Sequence, residues 1–319
     1  MRLENTLKGN SVKSIASKYG IYLVLVLMVV ISSIASPNFL TVSNILSVLR
    51  QSSPTIILAF GAMFLMISGS MDLSVGSVLA ISGIFSLSVY MMGGSWLGAI
   101  LAGIMTGLVC CTLSGIISAY VGVPSFIVTL AMDLIVRGGV MLYTGGMPIT
   151  RTGNFAAFGQ GFIGPIPIPI VVVAVIWAVS AFILNHTTLG RKFYAIGGNA
   201  EAARASGINV KRTTLFAYFI NGIFVAIAGI IFMSRLNSGT PGGGDGYALD
   251  AIASTVIGGS SLSGGIGTAT GTLVGAIIMG LISNILNLVS VQSYVQSIVK
   301  GVIIVLAVVL DISAKKKSV

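Results

Sequence analysis

The sequence predicts an all-α integral membrane protein with about ten transmembrane helices, some of them broken, and one short cytoplasmic helix. Of its 319 residues, 55% are hydrophobic and only 8% are charged, and the mean hydropathy is +1.04. Soluble domains carry about a quarter charged residues, so this chain has too few polar side chains to cover a water-exposed surface. Many of the 41 glycines lie inside apolar runs, and they follow no short regular repeat. That distribution argues against an elastin-like protein and suits closely packed membrane helices.

Nine apolar stretches are long enough to be candidate spans, because about 20 residues cross a hydrocarbon core of about 30 Å. They lie at residues 20–36, 45–68, 74–92, 95–121, 125–144, 166–185, 214–236, 266–288 and 294–311. A tenth, shorter candidate at 247–260 carries Asp250 near its start. We interpret residues 1–319 as a single transmembrane domain.

The basic residues predict how the spans are oriented. Twelve of the 17 lie in three places, which are the N-terminal segment, the loop at 186–213 and the C-terminus. They are Arg2, Lys8, Lys13, Lys18, Arg191, Lys192, Arg204, Lys211, Arg212, Lys315, Lys316 and Lys317. By the positive-inside rule these three places are cytoplasmic, and the tenth span is needed to return the C-terminus to that side. Acidic lipid headgroups are the expected partners of these charges, and their clustering in loops argues against nucleic acid.

The long inner loop at 186–213 contains a short helical stretch, Glu201–Ser206, which we expect to lie on the cytoplasmic face. Asn199 is a plausible cap before it, and Gly207 is a plausible stop. The loops at 145–165 and 237–246 are rich in Gly, Pro and Asn and are predicted to face outward.

Two Gly/Ser-rich segments resemble each other and interrupt apolar stretches. They are Ser68–Ala80 and Gly258–Gly271, and they share a glycine/serine pair, a Leu-Ser step and following glycines. Duplicated segments with broken helices are common in transporters. The alternative is that Gly/Ser-rich segments look alike by chance.

Charged residues inside apolar runs are few. Asp133 and Arg137 stand at i, i+4 on one helix face, either as an ion relay or, as we favour, as a structural pair between helices. Lys300, near the middle of the last span, could face the interior or another chain. A series of carboxylates across the bilayer is absent from the sequence, which argues mildly against a proton-coupled carrier.

The sequence indicates neither nucleotide binding nor catalysis by this chain. The phosphate-binding sequence G-x-x-x-x-G-K-[ST] does not occur, so a partner chain would have to bind ATP and magnesium if ATP drives the process. The sequence shows no set of nucleophile, base and orienting group, and we expect a non-catalytic subunit without a metal or cofactor of its own.

Four segments carry a family resemblance. They are Asp72–Ser77 (DLSVGS), Gly197–Asn209 (GGNAEAARASGIN), Tyr247–Ala253 (YALDAIA) and Gly258–Gly265 (GGSSLSGG). In this order they resemble the permease subunit of bacterial ribose-type ABC importers, from about Ser36 to Asp311. The resemblance is specific for the family and weak for the sugar, since related permeases carry other pentoses, hexoses or an autoinducer. More distant relatives carry nucleosides or branched-chain amino acids.

The resemblance implies a multi-pass protein of the bacterial cytoplasmic membrane with both termini inside. It implies partners too: a second permease copy, identical or related, two cytoplasmic ATPase subunits and an extracytoplasmic sugar-binding protein that meets the outer loops. The inner loop resembles the family's coupling helix. The residues then expected at the ATPase contact are Asn199, Glu201, Ala202, Ala203 and Gly207.

Polar residues in spans or breaks are the candidates for a translocation path. They are Asp72, Ser74, Ser77, Asn221, Asn284 and Asn287. For each, a hydrogen bond between helices is an equally good explanation. The competing functions are a secondary carrier or channel, which would conduct alone, and a membrane-embedded enzyme, which lacks a catalytic set.

Overall fold

The structure is a computed structural model that describes residues 20–150 and 152–316, with side chains up to residue 309. The α-helices in chain order are α1 (Gly20–Ala35), α2 (Val42–Ile67), α3 (Val75–Met91), α4 (Trp96–Ile116), α5 (Ser125–Thr144), α6 (Ala157–Gln160), α7 (Ile168–His186), α8 (Thr188–Gly198), α9 (Ala200–Ala205), α10 (Val210–Leu236), α11 (Tyr247–Ile257), α12 (Ala269–Leu288) and α13 (Ser293–Lys316). A π-helical turn, Ile117–Val121, extends α4, and a 3-10 turn, Gly153–Ala156, precedes α6. Two short strands, β1 (Phe162–Ile163) and β2 (Ile166–Pro167), pair antiparallel.

The prediction of an all-α membrane fold is confirmed. Six helices in the described part of the chain are long and apolar enough to cross a membrane, namely α2, α4 with its extension, α5, α7, α10 and α12. The four other predicted spans contain the shorter apolar helices α1, α3, α11 and α13. The count of ten spans stays a prediction. So does the inside location of the termini, because the N-terminal basic residues and Lys317 lie outside the described residues.

Helix starts follow the sequence where a hydroxyl side chain caps the first turn. The Thr41 hydroxyl accepts from the Asn44 N–H at the start of α2 (3.3 Å), and the Thr268 hydroxyl accepts from the Gly271 N–H at the start of α12 (3.1 Å). Each cap satisfies one of the N–H groups that a helix leaves unpaired at its first turn.

The centre of the bundle is α10, which packs against α2, α3 and α4. Glycines allow these helices to touch backbone to backbone. A Cβ on Gly83 of α3 would overlap the Gly229 carbonyl oxygen of α10, and a Cβ on Gly222 of α10 would come within 2.8 Å of the Gly107 carbonyl oxygen of α4. Small residues at such contacts let membrane helices associate through close packing.

Two irregular segments interrupt the helices and meet at one end of the bundle. The first break (68–74) joins α2 to α3, and the second break (258–268) joins α11 to α12. The Gly265 N–H in the second break donates to the Ile67 carbonyl at the end of α2 (2.9 Å). The two similar sequence segments therefore occupy neighbouring places in the fold.

The inner loop at 186–213 holds two helices, α8 and α9, where the sequence suggested one. The Asn199 side chain accepts from the Ala202 N–H (2.9 Å), so the predicted cap of α9 is confirmed. Gly207 ends the turn with a φ of +82° and donates its N–H to the Arg204 carbonyl. Only glycine adopts that backbone conformation without strain.

The loops at 145–165 and 237–246 contact each other at the opposite end of the bundle from α8 and α9. Ile149 and Gly239 exchange two backbone hydrogen bonds of 2.9 Å. The Ser234 hydroxyl near the end of α10 accepts from the Gly159 N–H (2.7 Å). We call the end of the bundle that carries these two loops the outer-loop end, and the end that carries α8 and α9 the α9 end.

A polar cavity among the apolar helices

A polar cavity of about 240 Å³ opens among the halves of α2, α11, α12 and α13 that lie toward the outer-loop end. Its lining is Val48, Gln51, Ser52, Thr55, Arg235, Asp245, Tyr247, Asp250, Met279, Gly280, Ser283, Asn284 and Lys300. Pockets for drug-sized ligands are about 300 Å³ or larger, so this volume suits a small polar molecule. Hydroxyl, amide and charged groups dominate the walls.

The acidic groups of the cavity are paired with bases. The Lys300 ammonium of α13 donates to the Asp250 carboxylate of α11 (2.7 Å), with side chains that are 26% and 18% exposed. Asp245 pairs with Arg137 of α5 at 2.5 Å. Among the residues that the structure describes, two acidic and two basic ones line the cavity, so this part of the wall carries no net charge. Such a wall favours a neutral polyhydroxyl ligand over an ion.

Arg235 supplies a donor that the protein itself leaves unused. Its guanidinium lies over the Phe232 ring (5.7 Å to the centroid), and the Phe232 and Tyr247 rings meet edge to face (5.3 Å). The buried Nε atom of Arg235 has no hydrogen-bond partner among the described residues. An unpaired buried donor costs free energy, and because this nitrogen is shielded from solvent the cost falls on the fold.

An amide pair links two walls of the cavity. Asn44 of α2 and Asn284 of α12 donate to each other's side-chain oxygens, at 3.2 and 3.0 Å. Asn284 lines the cavity together with Ser283 of the same helix and Gln51 of α2. Amides and hydroxyls both donate and accept, so they can match the hydroxyl groups of a sugar.

An apolar cluster, which we name the apolar seal, lies on the α9 side of the cavity. It consists of Met66, Leu73, Ile252, Val256, Leu262 and Ala307. At the level of the seal, the Thr255 hydroxyl of α11 donates to the Ala59 carbonyl of α2 (3.0 Å). Both breaks contribute to the seal through Leu73 and Leu262, so a movement of the breaks would change it.

The predicted path residues fall into three places. Asn284 lines the cavity, and Asn287 is exposed and accepts a hydrogen bond from Gln296 (2.9 Å). The other four form a buried polar cluster away from the cavity, comprising Asp72, Ser74, Ser77 and Asn221.

Within the buried polar cluster the side chains are bonded to one another. The Asp72 carboxylate accepts from the N–H (2.8 Å) and hydroxyl (2.6 Å) of Ser74 and from the Asn221 amide (2.9 Å). Tyr218, on the same helix as Asn221, donates to the Met71 carbonyl (3.0 Å). These bonds fasten the first break to α10 and place a carboxylate at the N-terminus of α3, where the helix dipole favours it.

The predicted ATPase-contact residues lie together on α9 and its ends. Asn199, Glu201, Ala202 and Gly207 are exposed, whereas Ala203 is buried and faces the body of the protein. Both Glu201 oxygens lie 2.9 Å from the Arg204 guanidinium. The outer side of this helical turn is therefore exposed, and its inner side packs through Ala203.

The predicted pair Asp133 and Arg137 lies 3.6 Å apart. The sequence did not predict the second partner of Arg137, Asp245, nor the pairing of Lys300 with Asp250. For Asp250 and Lys300 the sequence offers a signal, since they are isolated charges of opposite sign in different predicted spans, whereas Asp245 lies in a predicted loop. Arg235 and Gln51 carried no such signal, because each stands near the end of an apolar run, where polar residues are common.

Comparison with known proteins identifies the family. A family model described as the permease component of a branched-chain amino acid transport system matches residues 44–308. The ribose import permease protein RbsC of Haemophilus influenzae is 41% identical over 251 residues, 77% of this chain and 78% of that protein. RbsC of Bacillus subtilis is 40% identical, covering 79% and 80%. The xylose transport permease XylH of Haemophilus influenzae is 35% identical, covering 78% and 84%.

No solved structure matches the chain. The family model spans most of the sequence and includes both breaks, the inner loop and the helices around the cavity. The chain therefore belongs to this family of permease components of transport systems.

Proposed function

We propose that this chain is the membrane permease of an ATP-binding-cassette importer for a monosaccharide, ribose or a close relative, and that the polar cavity receives the sugar. The observation that carries this proposal is the cavity itself, with compensated charges and hydroxyl and amide groups. Relatives at about 40% identity are named ribose import permeases, which supports the choice of sugar. An amino acid with a branched apolar side chain would find only Val48 and Met279 as aliphatic lining.

The basic inner loop supports an orientation with α8, α9 and both termini in the cytoplasm of a bacterium. An ATPase subunit would then contact α9, and an extracytoplasmic sugar-binding protein would contact the outer loops. ATP and magnesium belong to the ATPase. A second permease copy would complete the membrane part.

The position of the cavity supports a mechanism of alternating access. The cavity lies nearer the outer-loop end, and the apolar seal lies nearer the α9 end, where it would close the path. Sugar delivered from outside would enter the cavity. ATP binding and hydrolysis in the partner would then separate the seal and close the outer side. The differential affinity of ATP for the two states supplies the free energy for this change.

Uptake in liposomes tests the proposal. We expect the permease together with its ATPase and binding protein to take up radiolabelled ribose when ATP is supplied, and the permease alone to take up none. Uptake by the permease alone would instead identify a secondary carrier or channel. ATP-dependent uptake of leucine without uptake of any pentose or hexose would contradict the sugar assignment.

Two asparagines of α12 make a matched pair for testing the cavity. Asn284 lines it, whereas Asn287, one turn further along, is exposed and accepts a hydrogen bond from Gln296. We expect Asn284→Ala to lower ribose uptake about fivefold, since one hydrogen bond contributes about 1 kcal/mol. Asn287→Ala serves as the control and should transport normally. Equal effects of the two substitutions would exclude the cavity as the site of recognition.

A further inference from the structure

Three backbone segments meet without intervening side chains at the α9 end. They are the end of α8 at Gly197, the end of α2 at Ile67 and the second break at Gly264 and Gly265. Gly265 donates its N–H to the Ile67 carbonyl, and Gly197 lies directly against this hydrogen bond. A Cβ on Gly197 would overlap the Ile67 oxygen and stand 2.5 Å from the Gly265 nitrogen. We name this contact the Gly197 junction.

The contact is tight from both sides. A Cβ on Gly264 would come within 2.6 Å of the Gly197 carbonyl oxygen. The next residue, Gly198, differs, because a Cβ there would meet no atom within 4 Å. Two adjacent glycines therefore have opposite surroundings, and only Gly197 is required by packing.

A side-chain hydrogen bond ties the same helix to the second break. The Tyr194 hydroxyl, one turn before Gly197 on α8, donates to the Gly267 carbonyl (2.7 Å). Burial raises the pKa of Tyr194 above its usual value, so the hydroxyl keeps its proton at neutral pH. Helix α8 is thus held to the second break at two points.

The Gly197 junction stands between the exposed helix α9 and the apolar seal. On one side, α8 continues through Gly198 and Asn199 into α9. On the other side, Met66 precedes Ile67 at the end of α2, and Leu262 lies in the second break, and both belong to the seal. Packed backbone has little freedom to yield, so a displacement of α8 moves both neighbours.

We infer that the Gly197 junction transmits movement of the α8–α9 segment to the two breaks and so opens and closes the apolar seal. This assigns Gly197 and Tyr194 as positioning residues for transport. The inference rests on the proposed function, since it requires a partner that moves α9.

Its test compares Gly197→Ala with Gly198→Ala in liposomes that contain the full complex of permease, ATPase and binding protein. The readout is ribose taken up per ATP hydrolysed, together with basal ATP hydrolysis and recovery of the assembled complex. We expect Gly197→Ala to retain assembly and basal hydrolysis but to lower the uptake per ATP about tenfold. Gly198→Ala should behave as the unmodified permease does, because its methyl group enters open space.

A milder variant covers the case in which Gly197→Ala does not assemble. Tyr194→Phe removes one hydroxyl and leaves the ring, and we expect it to lower uptake per ATP about threefold. The inference is overturned if every assembled variant of Gly197 and Tyr194 keeps the unmodified ratio, or if Gly198→Ala loses as much. An unmodified complex that hydrolyses ATP but imports no sugar would overturn the proposed function itself, and with it the inference.

Discussion

The buried polar cluster around Asp72 and the polar cavity around Asp250 place similar residues in contrasting surroundings. Each contains a carboxylate and an asparagine among apolar helices. In the cluster, Asp72 is 4% exposed and its oxygens accept from Ser74 and Asn221. In the cavity, the Asp250 side chain is 18% exposed and adjoins open volume.

The difference shows that polarity inside a membrane helix does not identify a path. A buried polar group needs partners, and in the cluster the protein itself supplies those of the Asp72 carboxylate. A group that lines open volume, such as Ser283 or Asn284, can bind a ligand. The two regions should therefore respond differently to substitution, in stability for the cluster and in transport for the cavity.

The largest effect on stability is expected for Asp72→Ala. The substitution removes the acceptor of Ser74 and Asn221 and leaves their donors buried, which costs about 3 kcal/mol. Thermal unfolding of the detergent-solubilised protein measures it. Asp72→Asn is the control and should destabilise the protein less. It keeps the size of the side chain, and its new amide group can donate to the Asn221 oxygen, which has no partner among the described residues. An unchanged melting temperature for Asp72→Ala would show that the cluster does not hold the first break.

A pair of glycines sharpens the comparison. A methyl group on Gly61 of α2 would overlap the Asn221 amide oxygen and stand 3.4 Å from the Asn221 Cα, so Gly61→Ala should destabilise the protein by about 2 kcal/mol. A methyl group on Gly280 would meet the Ser52 side chain, which can turn into the cavity. Gly280→Ala should thus cost clearly less in the same unfolding measurement. The reverse order would contradict the packing described for the two regions.

The smallest effect on stability is expected for the ion pair in the cavity. A double-mutant cycle of Asp250→Ala and Lys300→Ala should give a coupling of about 1 kcal/mol, since both side chains are partly reached by solvent. The same variants should lose most of their ribose uptake although their free energy of unfolding changes little. Strictly additive unfolding free energies would mean that the pair does not hold α13 to α11.

Local signals accounted for most of the fold. Each apolar helix coincides with a stretch that hydropathy predicts. The ends of α9 also match the sequence, because Asn199 caps its start and Gly207, with a left-handed backbone, follows its end. Helix α8, which the sequence analysis does not predict, also has a local cause: the Thr187 hydroxyl caps it by accepting from the Gly190 N–H (3.1 Å). A threonine that can cap a helix is visible in the sequence at position 187, but the polar residues around it favour a loop over a second helix.

The cavity could be predicted only in part. Asp250 and Lys300 were visible as charges in apolar runs, but their pairing depends on how α11 and α13 pack. Asn284 and Asn287 look alike in sequence and lie near one face of α12, but Asn287 stands in the last turn of the helix, beyond the cavity. A role of Asp72 in the path stays a prediction, since its carboxylate lies in a break. The amide of Asn221, distant in sequence, makes it part of the packing.

The glycine contacts of α10 with α3 and α4 have a consequence for how the chain is made. Gly83 and Gly107 leave the ribosome long before Gly229 and Gly222, which they face. Until α10 is inserted, α3 and α4 lack the helix that covers their small-residue faces, and lipid or a chaperone must occupy the place. A nascent chain interrupted before residue 210 would present this uncovered surface within the bilayer, where a membrane protease could recognise an unfinished protein.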